Sequence, residues 1–191
     1  MKKTLATLTL VGLLLSSGGC LGRIVGEAWE GTTGGSGRSQ IVDPISGSLD
    51  GYTNFEMERF TDKTHGNVPA AFWTMLPEAF DKLAYADGLP QQAGGKTVII
   101  RGSVIYYETG VLTDQVFGPL EEAVAYVELI DKETGRSLGK ITAVGRTTKT
   151  IPMGPETKAG GLSKTIIKWI NASYPEAMRD AELESRKAAG E

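Results

Sequence analysis

The hydrophobic rhythm of the chain changes several times, and each change predicts an element. An apolar run from Leu5 to Leu15 follows Lys2 and Lys3 and ends in Ser16-Ser17-Gly18-Gly19-Cys20. Residues 21 to 50 carry few apolar side chains and no sustained period, with glycine-rich stretches at 31–37 and 45–51, which predicts a flexible tether. From Thr53 to Phe60 the chain alternates, placing Phe55 and Met57 on one face of a strand, and residues 61–66 then supply loop chemistry. Over 68–86 the period becomes helical. Phe72, Leu76, Phe80 and Leu83 fall on one side, and Pro77 either kinks the helix or starts a second one before Gly88 stops it.

Lys96 to Tyr107 is dense in β-branched and aromatic residues, with apolar side chains on both faces, so it belongs in the middle of a sheet. Gly102 marks a bulge or a close backbone approach, and Tyr106 and Tyr107, being adjacent, face opposite ways. Glu122 to Ile130 and Leu138 to Arg146 flank Asp131-Lys-Glu-Thr-Gly135-Arg136, a hairpin whose glycine supplies the positive φ of a short loop. Leu162, Ile166, Ile167, Trp169 and Ile170 form a helical stripe that breaks at Tyr174-Pro175. Beyond it, the charged segment to Glu191, with Glu182 and Arg186 one turn apart, predicts a solvated, fraying helix.

The fold class expected is α+β: a mostly antiparallel sheet of about four strands, two helices packed on one face, and a flexible tether in front. The expected boundaries are a signal peptide over 1–19, the tether over 20–50, the globular domain over 51–174 and the charged helix over 175–191.

The start of the chain gives an address. A basic beginning, a short apolar core and small residues before the cut are the parts of a secretory signal peptide, and the core is shorter than the ~20 residues that cross a bilayer. Cys20 is the single cysteine, so no intramolecular disulfide is open to it. Its setting resembles the lipobox of bacterial lipoproteins, with Ser17 where that motif usually carries leucine. The resemblance implies a diacylglycerol and an N-acyl chain on Cys20 and no other cofactor. Leu21, in place of an aspartate, implies the outer membrane, facing the periplasm. An ordinary signal peptide that leaves a free thiol is the alternative.

Cutting before Cys20 removes Lys2 and Lys3 and no acid, which takes the formal net charge from −3 to −5. Such a balance disfavours nucleic acid, because binding it requires a basic surface that releases counterions.

The segments Glu58-Arg-Phe-Thr-Asp-Lys-Thr64, Val98-Ile-Ile-Arg-Gly-Ser-Val-Ile-Tyr-Tyr107 and Val127-Glu-Leu-Ile-Asp-Lys-Glu-Thr-Gly135, with an amphipathic helix between the first two, resemble a group of bacterial envelope lipoproteins. The domain of that group is similar to the amino-terminal domain of TolB, to CsgG and to LpoB-type activators of penicillin-binding proteins. The resemblance implies a periplasmic module that binds envelope proteins and performs no catalysis, and it transfers no functional residue. No surplus alternating segments are present for the membrane hairpins of a curli-type pore.

Catalytic chemistry is sparse. His65 is the single histidine, so no two-histidine metal site is expected, and its one conceivable use is with Asp62 beside a serine or threonine. The acid pairs Glu56 with Glu58, Glu121 with Glu122 and Asp131 with Glu133 read as solvated surface. Residues 160–165, Gly-Gly-Leu-Ser-Lys-Thr, open a helix but lack the spacing of a phosphate loop. Trp73 and Trp169 sit on helical stripes and read as core. No catalytic or metal-binding residue is assigned. The loop between Glu108 and Glu121 is long enough to be functional, and Tyr107, Glu108, Val116 and Phe117 are its candidate binding residues. The leading function is a lipid-anchored interaction or assembly module with an envelope protein as partner, its oligomeric state open. A small-ligand or glycan binder is the alternative, and a hydrolase ranks third.

Overall fold

In the computed structural model the described residues are 35–92, 94–108, 122–147 and 154–190. They form a six-stranded sheet and three helices. The strands are β1 (Gly35–Asp43), β2 (Tyr52–Met57), β3 (Thr61–Asp62), β4 (Lys96–Tyr107), β5 (Glu122–Asp131) and β6 (Ser137–Thr147). The helices are α1 (Phe72–Ala86), α2 (Pro155–Asn171) and α3 (Glu176–Ala189). The sheet runs β1-β6-β5-β4-β2, and β3 also pairs with β4.

The hairpin and the central strand lie where their composition places them: β5 and β6 pair antiparallel on one side of the sheet and β5 pairs antiparallel with β4. The turn between β5 and β6 is held by Asp131, whose Oδ1 accepts the amides of Glu133 at 3.0 Å and Thr134 at 2.8 Å, with Gly135 at φ 69° closing it. Two of the five strand pairings differ from the antiparallel expectation, because β2 and β3 both run parallel to β4. Parallel neighbours need a crossover, and α1 is that crossover.

The count of four strands rises to six for two reasons. Gly35–Asp43, inside the stretch read as tether, pairs antiparallel with β6 as an edge strand. Its side chains are mostly polar, and an edge strand gains most of its stability from the ladder, so hydrophobic alternation does not reveal it. The alternating segment after Tyr52 also divides, β2 ending at Met57. Phe60 turns into the core, and Thr61–Asp62, read as loop, continues beside β4.

Both long helices cover the same face of the sheet. Phe72, Leu76, Phe80 and Ala84 of α1, with Leu162, Ile166 and Ile170 of α2, bury against Val98, Ile100, Val104, Ala125, Val127, Leu129, Ile141 and Ala143. At ~25 cal/mol per Å² of apolar surface removed from water, this single core is the main source of stability. Helix α1 is continuous through Pro77, which leaves the Trp73 carbonyl without its usual helical donor. It ends in a Schellman turn, with Leu89 N–H donating to Ala84 O at 3.0 Å, Gly88 N–H to Tyr85 O at 3.3 Å, and Gly88 at φ 74°.

Gly160 and Gly161 lie inside α2 and do not open it, for the helix starts at Pro155 after Gly154. Their neighbourhood is built for close packing: a Cβ on Gly145 of β6 would sit 2.6 Å from the Leu162 nitrogen, and one on Gly37 of β1 would meet Thr165 Oγ1 at 1.7 Å. Bare backbone on the strands lets α2 lie directly on the sheet. Gly102 has the same use, since a Cβ there would overlap the Phe60 ring at 2.4 Å, so the expected close approach is a side chain seated on the strand.

Helix α3 buries no residue, as its charged composition predicts, yet it is docked through two arginines. Arg186 lies 4.0 Å from the Tyr85 ring centroid and donates to Tyr85 O and to Leu89 O, the latter at 3.0 Å, while Arg179 pairs with Asp87 at 3.6 Å.

Candidate functional site

Cys20, Val116 and Phe117 lie outside the described residues, as do the signal segment and 109–121. Glu108 is the last described residue before 109–121, its amide donating to Glu122 O at 2.9 Å. Tyr107 faces inward at 5 % exposure, edge-on to Phe72 with centroids 5.4 Å apart and with Lys158 Nζ 4.6 Å from its own centroid. Tyr106 faces outward at 49 % exposure, so the two adjacent tyrosines do part as alternation requires.

Asp62 and His65 share a turn. Asp62 Oδ1 accepts the Thr64 hydroxyl and the Thr64 amide, each at 2.7 Å, and these bonds hold its carboxyl below the usual range. Thr64 Oγ1 accepts the Asn67 amide at 3.1 Å, and His65 takes φ 60° to close the loop. These polar groups hold a tight turn together. The paired acids also separate: Glu56 binds Lys132 Nζ at 2.7 Å, Glu58 binds Arg101 with two bonds of 2.7 and 3.2 Å, and Asp131 accepts Tyr52 Oη at 2.6 Å. Trp169 is buried, and Trp73 packs against the core. Among the described residues no group of three His, Cys, Asp or Glu is placed to hold a metal, and no helix is long and apolar enough to cross a membrane.

The distinctive surface is the sheet face that the helices leave uncovered. Strand register lays its side chains out in rows across the sheet. One row is charged and alternates in sign: Asp43, Lys140, Glu128 and Arg101, with Glu58 paired to Arg101 at its end. Lys140 meets Glu128 at 3.3 Å. The next row is neutral and polar throughout: Gln40, Thr142, Tyr126, Ser103 and Thr61. Tyr126, 53 % exposed, stands at its centre. Between the two rows runs a groove of about 370 Å³, lined by Val42, Thr61, Arg101, Ser103, Tyr126, Glu128 and Lys140 among others.

None of these residues was a sequence-level candidate. The signal that finds them is register: once the 131–136 turn fixes the β5–β6 hairpin, Tyr126, Glu128, Lys140 and Thr142 must share the face opposite Val127 and Ile141.

No family model matches the chain and no curated protein does. Among solved structures, the chain is similar to a PelC dodecamer from Paraburkholderia phytofirmans, at 17% identity over 74% of this chain and 99% of that one, with a TM-score of 0.48. A minor lipoprotein from Acinetobacter baumannii is similar at 16% identity over 63% of this chain and 94% of that one, TM-score 0.36. Lipoprotein GNA1162 from Neisseria meningitidis is similar at 15% identity over 63% and 99% of the two chains, TM-score 0.29. Bacterial lipoproteins are thus among the structures the chain resembles. At these scores the likeness carries no argument about mechanism, and function rests on the chain's own residues.

Proposed function

We propose that the chain is a lipid-anchored lipoprotein of the bacterial outer membrane, working as a non-catalytic interaction or assembly module for another envelope protein. The observation that carries this reading is Cys20, the lone cysteine, directly after a short apolar export signal. Acylation at that position anchors the protein firmly, because two or more chains at ~0.8 kcal/mol per buried methylene hold it where one does not. The likeness of the 58–64, 98–107 and 127–135 segments to TolB, CsgG and LpoB-type domains supports a module that binds envelope proteins.

Cys20→Ala tests the anchor: the expected result is release into the soluble periplasm or an uncut precursor, and unchanged detergent dependence of a processed chain contradicts it. Native cross-linking of envelopes with mass spectrometry tests the partner, and no adduct above background contradicts it. A second reading, a glycan or small-ligand binder, is favoured by the groove beside Tyr126, which is formed by described residues outside the 108–121 loop.

A further inference from the structure

The open face combines three features that together specify a ligand chemistry. Four of its five charges cancel in pairs, Lys140 being 3.3 Å from Glu128 and Arg101 2.7 Å from Glu58, and the fifth, Asp43, lies at the end of the row outside the groove lining. The adjoining row, from Gln40 to Thr61, carries hydroxyl and amide groups and no charge. Tyr126, half exposed on an inner strand of the sheet, offers an aromatic ring beside the groove.

An anionic ligand gains little here, since each guanidinium or ammonium already has its carboxylate, and a cationic one finds in the groove lining only Glu128, already paired with Lys140. A dry protein surface pressed on the groove must desolvate two ion pairs, and the attraction within each pair commonly fails to offset that loss. A second copy stacked face to face about a two-fold axis meets a further obstacle. The alternating charged row has five members and reads the same from both ends, so an axis along it, or across it at the central Glu128, sets like charge over like. A chain of neutral sugars has none of these difficulties. Its hydroxyls both donate and accept, so they replace water around Lys140, Glu128, Ser103 and Thr61 without leaving them unbonded, and the C–H face of a pyranose packs on an aromatic ring. The groove is open to solvent, which suits an extended chain lying on the surface.

We infer that the groove beside Tyr126 is a binding site for a neutral polysaccharide, with one pyranose packed on the Tyr126 ring. The inference deepens the second reading above and does not depend on the lipid anchor or on a protein partner.

The test uses the full lipidated chain in a sugar-free detergent. Maltopentaose, cellopentaose, mannopentaose and chitopentaose are titrated by calorimetry, with tetragalacturonate and a chitosan oligomer as acidic and basic counterparts. At least one neutral oligomer is expected to bind saturably and the charged ones more weakly. Tyr126→Ala should weaken that binding by about tenfold or more, a loss of about 1.4 kcal/mol, while Tyr126→Phe retains it and Lys187→Ala on α3 leaves it unchanged. Because Tyr126 is half exposed, Tyr126→Ala should unfold cooperatively with at most a small loss of melting temperature, and Ser103→Ala supplies a second, independent weakening. Absence of saturable binding by every neutral oligomer overturns the inference, as does tighter binding of a charged one or unimpaired binding by Tyr126→Ala. A photoreactive group at position 126 that captures an envelope protein while no sugar binds overturns it too, and leaves the assembly reading standing.

Discussion

Tyr52 donates its hydroxyl to Asp131 Oδ2 at 2.6 Å, joining the first residue of β2 to the turn that closes the β5–β6 hairpin 79 positions later. Tyr52 pairs with Lys96 and Asp131 with Val98 on opposite sides of β4, so this bond ties the two strands that flank β4 to each other through a buried polar contact. Asp131 also caps its own turn through Glu133 and Thr134, and one carboxylate therefore serves both local and long-range structure.

The pair predicts stability loss at both pH extremes. The Tyr52 hydroxyl, followed by the Thr134 amide, holds the Asp131 carboxyl down at about 2, below its ordinary 3.8. The unfolded chain takes up that proton first as pH falls, so the contribution is complete above about pH 4 and lost as pH drops toward 2. Burial, then the bond to Asp131, pushes the Tyr52 hydroxyl from 10.0 up to about 12. Its contribution is complete below pH 10 and lost as pH rises to 12, because only the unfolded phenol ionises in that window. Urea melts from pH 2 to 12 should show both limbs. Tyr52→Phe should move the acid limb to higher pH and flatten the alkaline one, and an unaltered pH profile in that variant contradicts the coupling.

Two glycines 15 positions apart predict opposite outcomes for the same substitution. A Cβ at Gly145 would lie 2.6 Å from the backbone nitrogen of Leu162 and 2.7 Å from Lys158 O, and neither atom can yield without moving α2. Gly145→Ala should cost about 3 kcal/mol, at the upper end for overpacking. Gly160 has nothing within 4 Å of an added Cβ and sits inside the helix. Gly160→Ala should therefore gain about 0.5–1 kcal/mol from helix propensity. Denaturation midpoints in urea decide both signs.

Much of the architecture was legible from residue pattern, and the parts that were not have a common cause. The apolar stripes of α1 and α2 declare themselves because each buries one face, the strand over 96–107 because β-branched and aromatic residues are dense on both its faces, and the 131–136 turn because it carries an Asp and a Gly where a short loop uses them. Strand β1 exposes Ile41 at 59 % and Val42 at 60 %, and it is held by its ladder to β6, so its sequence carries no period to read. The groove was hidden for a related reason. Its rows are formed by residues far apart in the chain, such as Thr61, Arg101 and Lys140, which become neighbours only when register is fixed. Tyr107 shows the converse: its place beside the 108–121 loop marked it as a rim residue, but the alternation that sends Tyr106 outward sends Tyr107 under Phe72.

Phe60 and Gly102 should behave as one packing unit. The ring atoms of Phe60 occupy the space a side chain at position 102 would need, the nearest 2.4 Å from an added Cβ. Phe60 is 4 % exposed, so Phe60→Ala should cost about 3–4 kcal/mol. Gly102→Ala alone should cost about 2 kcal/mol by displacing the ring. In the double variant the clash is gone, so the combined loss should fall short of the sum by about 1 kcal/mol or more. Strict additivity in equilibrium unfolding shows that the two positions do not share a site.

Arg186 decides whether the last helix is part of the domain. Helix α3 buries none of its residues, and a free helix of that length is marginal in water, so its order must come from contacts at specific points. Arg186 supplies several at once: its side chain is 11 % exposed, pairs with Glu182 at 2.9 Å, stacks 4.0 Å from the Tyr85 centroid, and donates to the Tyr85 and Leu89 carbonyls at the end of α1. Those carbonyls lie at the negative end of the α1 dipole, where a cation is favoured. Gly88 completes the seat, since a Cβ there would strike Arg179 O at 2.5 Å. Arg186→Ala should let the amides of 176–189 exchange at nearly unprotected rates while costing the rest of the domain about 1 kcal/mol or less, because the main core is untouched. Arg186→Lys should fail to restore protection, as an ammonium cannot stack on Tyr85 and reach both carbonyls with a planar fork. Hydrogen exchange read by mass spectrometry separates these outcomes: retained protection of α3 in Arg186→Ala assigns its docking to other contacts.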